Sequence, residues 1–323
     1  VLYDWLWRWP KLKDSRLRMR LLTATWEFGL KGYVALLPAL TAFFIVRHNL
    51  ADALTVAGQF FVDNPIAYAG WFQGFMTAML VIGRYLGLLI FPHTLSSDYS
   101  YDQIPLYGTD AAWWQDLFAW LSLCIVALLI WSAFRRRKTH PLYAWGVLFF
   151  FGMLLPTSNI IIPIGSIMAE RFLYLPMVGF SVLAALAIRE LALALSQWTI
   201  DGHQVFGRYA KIGVPLAVFA ALMLRTHVRN ADWHDELSLW KSAVEAAPNS
   251  FKTHKGYSGA LIEAGQNEAA LDAGIASAEI GLSILDKTPL PPERREYSLY
   301  YALGIYYRQK GELLESRGLT GEA

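Results

Sequence analysis

Leu154–Phe180 reads LLPTSNIIIPIGSIMAERFLYLPMVGF, and what surrounds it decides the class of the protein. Long apolar runs flank the stretch. Its first half nevertheless holds Pro156, Ser158, Asn159 and Pro163, and its second half the adjacent charges Glu170 and Arg171. Flanks this apolar read as membrane-spanning, and a Glu-Arg pair between them is costly unless it faces protein, water or a substrate. The stretch reads as the polar edge of a membrane-embedded site.

Composition agrees. Of the 323 residues 55% are hydrophobic and only 17% charged, more apolar and less charged than an ordinary soluble domain. The apolar runs stop before the last hundred residues, where Ala, Glu, Lys and Tyr take over. The expected architecture is all-α: a polytopic helical membrane domain over 1–225, then a tetratricopeptide-like helical repeat domain over 226–323. The first residue is Val1, inside a Trp-rich segment with no signal-peptide pattern, so an upstream portion is expected. Cys124 is the single cysteine, which excludes an intrachain disulfide and a cysteine metal cluster. In an apolar run it reads as a small buried hydrophobe. A net charge of +2 is too small to suggest nucleic acid, and the basic residues gather near membrane ends.

Along the chain, Val1–Arg20 mixes Arg and Lys with Trp5, Trp7 and Trp9, the signature of a cytoplasmic membrane interface. Apolar runs follow at Tyr33–Val46, Thr77–Phe91 and Leu117–Ala133, the last ending at Arg135-Arg136-Arg137-Lys138. With both basic anchors in the cytoplasm, the crossings between them must be even in number. Thr77–Phe91 is the run that does not cross: it has about 15 residues where a span needs roughly 20, and Arg84 sits in its middle. It is expected to be re-entrant or packed along the outer face. Pro141–Pro156 then leads outward, Leu173–Leu195 returns and Ile212–Leu224 crosses again. The loops around Asp98 and Glu170 and the C-terminal repeats thus share the extracytoplasmic side.

The C-terminal part carries a degenerate repeat pattern. Tyr300, Gly304, Tyr307 and Gly311 fall where a tetratricopeptide helix pair places an aromatic, a close-packing small residue, a second aromatic and a turn glycine. Ser258 and Gly265 repeat the spacing, and Trp240, Ala243 and Pro248 fit the second helix of a preceding pair. The period breaks at Lys287–Pro292. Stacked pairs would leave a concave surface for a peptide or partner.

Phe91–Leu106, FPHTLSSDYSYDQIPL, is the second informative stretch. A carboxylate such as Asp98 beside a membrane could activate an acceptor hydroxyl, bind a divalent cation or simply be solvated. Glu170 and Arg171 could form a structural ion pair or a site. Arg84 in an apolar run needs a partner. A phosphate or pyrophosphate headgroup would suit its fork, and so would Asp98 or Glu170. The histidines lack metal-ligand spacing, and the chain has no Gly-rich phosphate loop and no nucleophile elbow.

An ordered set of motifs adds a resemblance. Asp63-Asn64-Pro65, Phe91-Pro92, Leu95-Ser96-Ser97-Asp98-Tyr99-Ser100, Ile104-Pro105-Leu106, Leu155-Pro156-Thr157-Ser158-Asn159, Ala169–Pro176 and Arg229-Asn230-Ala231-Asp232-Trp233 together resemble the transmembrane and tetratricopeptide-repeat-containing (TMTC) family of protein O-mannosyltransferases. The resemblance covers nearly the whole chain. It implies a C-type glycosyltransferase that takes a sugar from a polyprenyl-phosphate carrier and transfers it, on the extracytoplasmic face, to a protein hydroxyl held by the repeats. It also implies that the principal catalytic acid lies in a first outer loop upstream of Val1. In that frame Asp98 and Glu170 are the candidate catalytic carboxylates, Arg84, Tyr99, Asn159 and Arg171 the candidate substrate-binding residues, and no metal site is assigned. The lipid-linked sugar is a donor substrate rather than a cofactor, and a divalent cation stays open. A membrane-anchored repeat scaffold for envelope assembly, without catalysis, is the alternative.

Overall fold

The computed structural model describes residues 61–109, 113–200, 203–204, 207–265, 267–289 and 296–318, with six isolated positions between 34 and 45. Val1–Arg20 and most of Tyr33–Val46 lie outside the described residues, as does Leu290–Pro292 of the repeat insertion. The expected all-α architecture is found. Helices α1 (Trp71–Ile90), α2 (Trp113–Arg136), α3 (Pro141–Leu154), α4 (Pro176–Gln197) and α5 (Ala210–Ala231) are followed by α6 (Glu236–Ala246), α7 (Phe251–Gly265), α8 (Glu268–Leu285) and α9 (Ser298–Ser316). Among the described residues, the extended structure is one antiparallel pair of two-residue strands, β1 (Thr199–Ile200) and β2 (His203–Gln204). Helices α1, α2, α4 and α5 are long and apolar enough to cross a membrane, and the protein is an integral membrane protein.

One expectation about α1 is corrected. The helix starts at Trp71 and has 20 residues, so shortness gives no reason for it not to cross. Its surroundings do give one. Met76 to Gly83 are buried without interruption, which covers every face of the helix for two turns. The following loop also runs back along it. At one end Tyr107 N–H donates to Thr77 Oγ1 at 2.9 Å and accepts, through its carbonyl, from Gln73 Nε2 at 2.9 Å. Gly83 allows α2 to approach, since a Cβ there would overlap Ser122 and press on Phe118. Cys124 departs from its expected place and lies exposed on α2.

The described chain divides into two compact units. One takes Ile125–Met153 and Leu175–Ala187; the other takes the described parts of Ala57–Cys124, Leu154–Tyr174 and Ile188–Ala323. In the first, α3 and α4 touch backbone to backbone: a Cβ on Gly179 would lie 2.6 Å from the Gly146 carbonyl oxygen. Ser132 Oγ and Tyr143 Oη are hydrogen-bonded at 2.6 Å beside a small core of Ala133, Ala144 and Val147. The second unit joins the polar loops to the C-terminal helices, so the hydropathy boundary at 225 is not where compactness divides the chain.

In that second unit α7 packs against α6 and α8, and α8 against α9. Asp235 caps α6, accepting from Ser238 N at 2.7 Å, while Ser238 Oγ accepts from Asp235 N, and Asn267 caps α8. The expected close-packing positions shift. Gly304 faces open space, whereas a Cβ on Gly256 would run into the Trp240 ring. Gly265 does end α7, but Gly311 lies inside α9 and not at a turn. The core of Phe251, Ile275, Ala278, Leu285, Leu299 and Leu303 also takes in Phe61 and Val62 from the segment before α1.

Candidate functional site

Three polar segments of the second unit, 61–66, 91–107 and 158–174, meet alongside α1, and buried amides hold them. Asn159 has φ 61°, a left-handed conformation that asparagine tolerates. Its Oδ1 accepts from Asn64 Nδ2 and Ile164 N, both at 2.8 Å, and its Nδ2 donates to the carbonyls of Ser166 and Ile167. All four of its hydrogen-bonding positions are used by the loop. Asn159 therefore shapes the loop. Asp63 ties the same corner to α7 through an ion pair with Lys252 and, by its carbonyl, to Ile167 N at 2.9 Å.

Tyr85 of α1 sets the next step. Its hydroxyl accepts from Ala169 N at 2.9 Å and donates to Ala169 O at 3.1 Å, pinning an extended residue before the 3-10 turn Glu170–Leu173. Glu170 is thereby aimed at the 91–107 loop. Its Oε1 accepts from Tyr99 Oη at 2.7 Å and from Ser96 N at 2.9 Å. Among the described residues its Oε2 has no hydrogen-bond partner. Burial pushes the Glu170 carboxyl above the ordinary carboxylate range. The Tyr99 hydroxyl, the Ser96 amide and the charges of Arg229 and Arg225 oppose that shift. Burial also raises the Tyr99 phenol, helped by the Glu170 charge. The buried Tyr99 spends its hydroxyl on Glu170 and Ser96, so it orients the carboxylate.

The remaining candidates separate. Asp98 Oδ1 accepts from Ser100 N at 2.8 Å and Ser250 Oγ at 3.0 Å, stitching the loop to the start of α7. Arg84 donates to Gln115 Oε1 at 3.4 Å and lies within electrostatic reach of Tyr99. Arg171 is exposed, its guanidinium 5.3 Å from the Phe172 ring centroid. Among the described residues neither arginine has a carboxylate partner, so the structural ion pairs weighed for them do not form. No cluster of three His, Cys, Asp or Glu suited to a metal occurs among the described residues.

Two further arginines belong to the site. Arg225 and Arg229 lie four residues apart on α5. Arg225 donates to the carbonyls of Pro92 and His93 at 2.7 and 2.9 Å. Arg229 pairs with Asp232 at 2.6 Å and donates to Ser242 Oγ at 3.2 Å. Their i, i+4 spacing at the end of an apolar helix was a readable signal of a shared face, but their proximity to Glu170 was not. The result is a half-buried carboxylate with one oxygen fixed and one free, inside a cationic surround. Such a group can accept a proton from, or orient, a hydroxyl while the arginines stabilise an anion.

Comparison with known proteins adds the family. Mouse protein O-mannosyl-transferase TMTC1 is 27% identical over 214 residues, covering 65% of this chain and 22% of its own length. Drosophila melanogaster Tmtc3 is 29% identical over 216 residues, covering 65% and 22%. The chain is a relative of the TMTC protein O-mannosyl-transferases. Human TMTC4 is likewise 29% identical over 216 residues, 65% of this chain and 27% of its own. The chain thus spans about a quarter of the length of the TMTC proteins it matches. No family model and no solved structure matches it.

Proposed function

We propose that the protein works as a membrane glycosyltransferase, moving mannose or a related hexose from a polyprenyl-phosphate carrier to a protein hydroxyl on the extracytoplasmic face. The observation that carries this reading is the Glu170 carboxylate. It is held at Oε1 by Tyr99 and Ser96, open at Oε2, and set among arginines in an integral membrane protein related to O-mannosyl-transferases. In the transfer, the acceptor oxygen bonds to the anomeric carbon. The bond from that carbon to the carrier phosphate breaks, and the phosphate leaves with the electron pair. The hydroxyl proton passes to a carboxylate. Glu170 orients the acceptor hydroxyl through Oε2. Arg171 and Arg84, which lack carboxylate partners among the described residues, receive the charge growing on the phosphate, and Arg225 and Arg229 keep Glu170 ionised. Asp98 serves by holding the loop to α7. The C-terminal helices, read as tetratricopeptide-like repeats over 226–323, present the acceptor on the same side.

The test is transfer from polyprenyl-phosphate mannose to an acceptor polypeptide by the protein in nanodiscs. Glu170→Gln should lower the rate by about two orders of magnitude with the fold intact, and Arg171→Gln should lower it with a weaker grip on the donor. Wild-type rates in both variants would overturn the assignment.

A further inference from the structure

A second concave site lies in the same unit, beside the 91–107 loop's ladder with the α6–α7 turn. There Asp102 N–H donates to the Asn249 carbonyl and Phe251 N–H to the Tyr101 carbonyl, at 2.8 and 2.9 Å. The cavity beside this ladder has a volume of about 770 Å³, within the range of small-molecule sites. None of the groups assigned to transfer lines it.

Several of its polar groups have no partner among the described residues. The Asp102 carboxylate is half-buried and accepts no hydrogen bond among the described residues, though an unpartnered buried carboxylate is costly. Gln103 Oε1 accepts from Asn249 N at 2.9 Å, and its NH2 has no partner among the described residues. Among the described residues, Gln115 takes only the 3.4 Å contact from Arg84 on its oxygen, and the Asn249 side-chain amide is uncommitted. Lys287 stands near enough to act on Asp102 electrostatically without forming an ion pair. The Tyr101 ring, braced against Phe61 at 5.5 Å, gives the wall an apolar face.

The ligand class follows from this set. An anion would suit Lys287 but meet Asp102, and a cation would suit Asp102 but meet Lys287. A cation would also leave the amide donors unpaired. A neutral polyol satisfies all of them: adjacent hydroxyls donate to the two carboxylate oxygens while accepting from the amides and the ammonium, and the C–H face of a pyranose ring lies on an aromatic wall. We propose that this cavity binds a neutral hexopyranoside, with Asp102 as its central acceptor. Burial raises the Asp102 carboxyl, and Lys287 opposes that rise, as suits a site that desolvates its ligand's hydroxyls. On the transferase reading it would hold sugar already attached to the acceptor, away from Glu170. Binding itself does not depend on that reading.

The experiment is saturation-transfer NMR and calorimetric titration of methyl hexopyranosides and a mannobiose on the protein in nanodiscs. Wild type should bind at least one of them, and Asp102→Ala should weaken binding tenfold or more. Its thermal unfolding should not fall, because the carboxylate accepts no hydrogen bond among the described residues. Glu170→Gln should bind the glycoside as wild type does. Glycoside binding without any transfer activity would leave the cavity assignment standing and remove the transferase reading. No binding to wild type, equal binding by Asp102→Ala, or Asp102-dependent binding of an oligolysine peptide in place of the sugars would overturn the proposal.

Discussion

Helices α1 and α5 have the same mean hydropathy over their most apolar windows, yet 56% of that window is buried within the protein in α1 and none of it in α5. Protein surrounds the middle turns of α1 on all sides, with Tyr85, Thr77 and Gln73 each engaged by a polar loop. Helix α5 shows Leu216, Phe219, Leu222 and Met223 outward and, among the described residues, touches the 91–107 loop near its end, through Arg225. Apolarity alone therefore does not tell which solvent a helix has. In α1 it fills a protein core beneath the Glu170 site; in α5 it is left for lipid.

This contrast can be broken by substitution. Adding a side chain inside α1 should have the largest effect: Gly83→Val would force α2 away and cost about 3 kcal/mol. The matching Gly213→Val on α5, where nothing lies within reach, should stay within about 0.5 kcal/mol. Thermal unfolding in detergent reads both, and equal losses would erase the distinction. Next comes Tyr85→Phe, which strips the partner from the Ala169 amide and carbonyl. It should cost about 2 kcal/mol and loosen Glu170, so transfer falls as well. Phe219→Ala on α5 should alter neither.

A smaller effect lies in pH. Burial raises the carboxyls of Glu170, Asp63 and Asp102 above their ordinary values of 4.5 and 3.8. A raised carboxyl holds its proton more tightly in the folded state than in the unfolded one. Its contribution to stability is therefore full below the ordinary value and is lost as pH rises through the raised value. Unfolding followed from pH 4 upward should show stability declining above the ordinary carboxylate range, and Glu170→Gln should make the decline shallower. A stability that climbs with pH across that interval would contradict the burial of these groups.

Much of this was legible in the sequence. Charge beside apolar runs singled out Glu170 and the 91–107 loop, and basic clusters marked helix ends. The start of α1 was missed because Gln73 and Gly74 interrupt the apolar run, although neither stops a helix whose Gln73 is paired with Tyr107. The role of Asn159 was hidden because amide satisfaction depends on Asn64, 95 positions away. Arg225 could not be linked to Pro92 for the same reason: the contact spans 133 positions and has no local signature. Gly304 matched a repeat spacing, but the tight contact belongs to Gly256, whose neighbour Trp240 sits on another helix.

Lipid-phase carbene labelling of the protein in nanodiscs, mapped by mass spectrometry, reads the solvent of each helix directly. Phe219 and Met223 of α5 should carry the label, while Met79 and Leu80 of α1 should remain unmodified. Labelling of Met79 and Leu80 as strong as that of Phe219 would place α1 in lipid and remove the protein floor on which the Glu170 site is built.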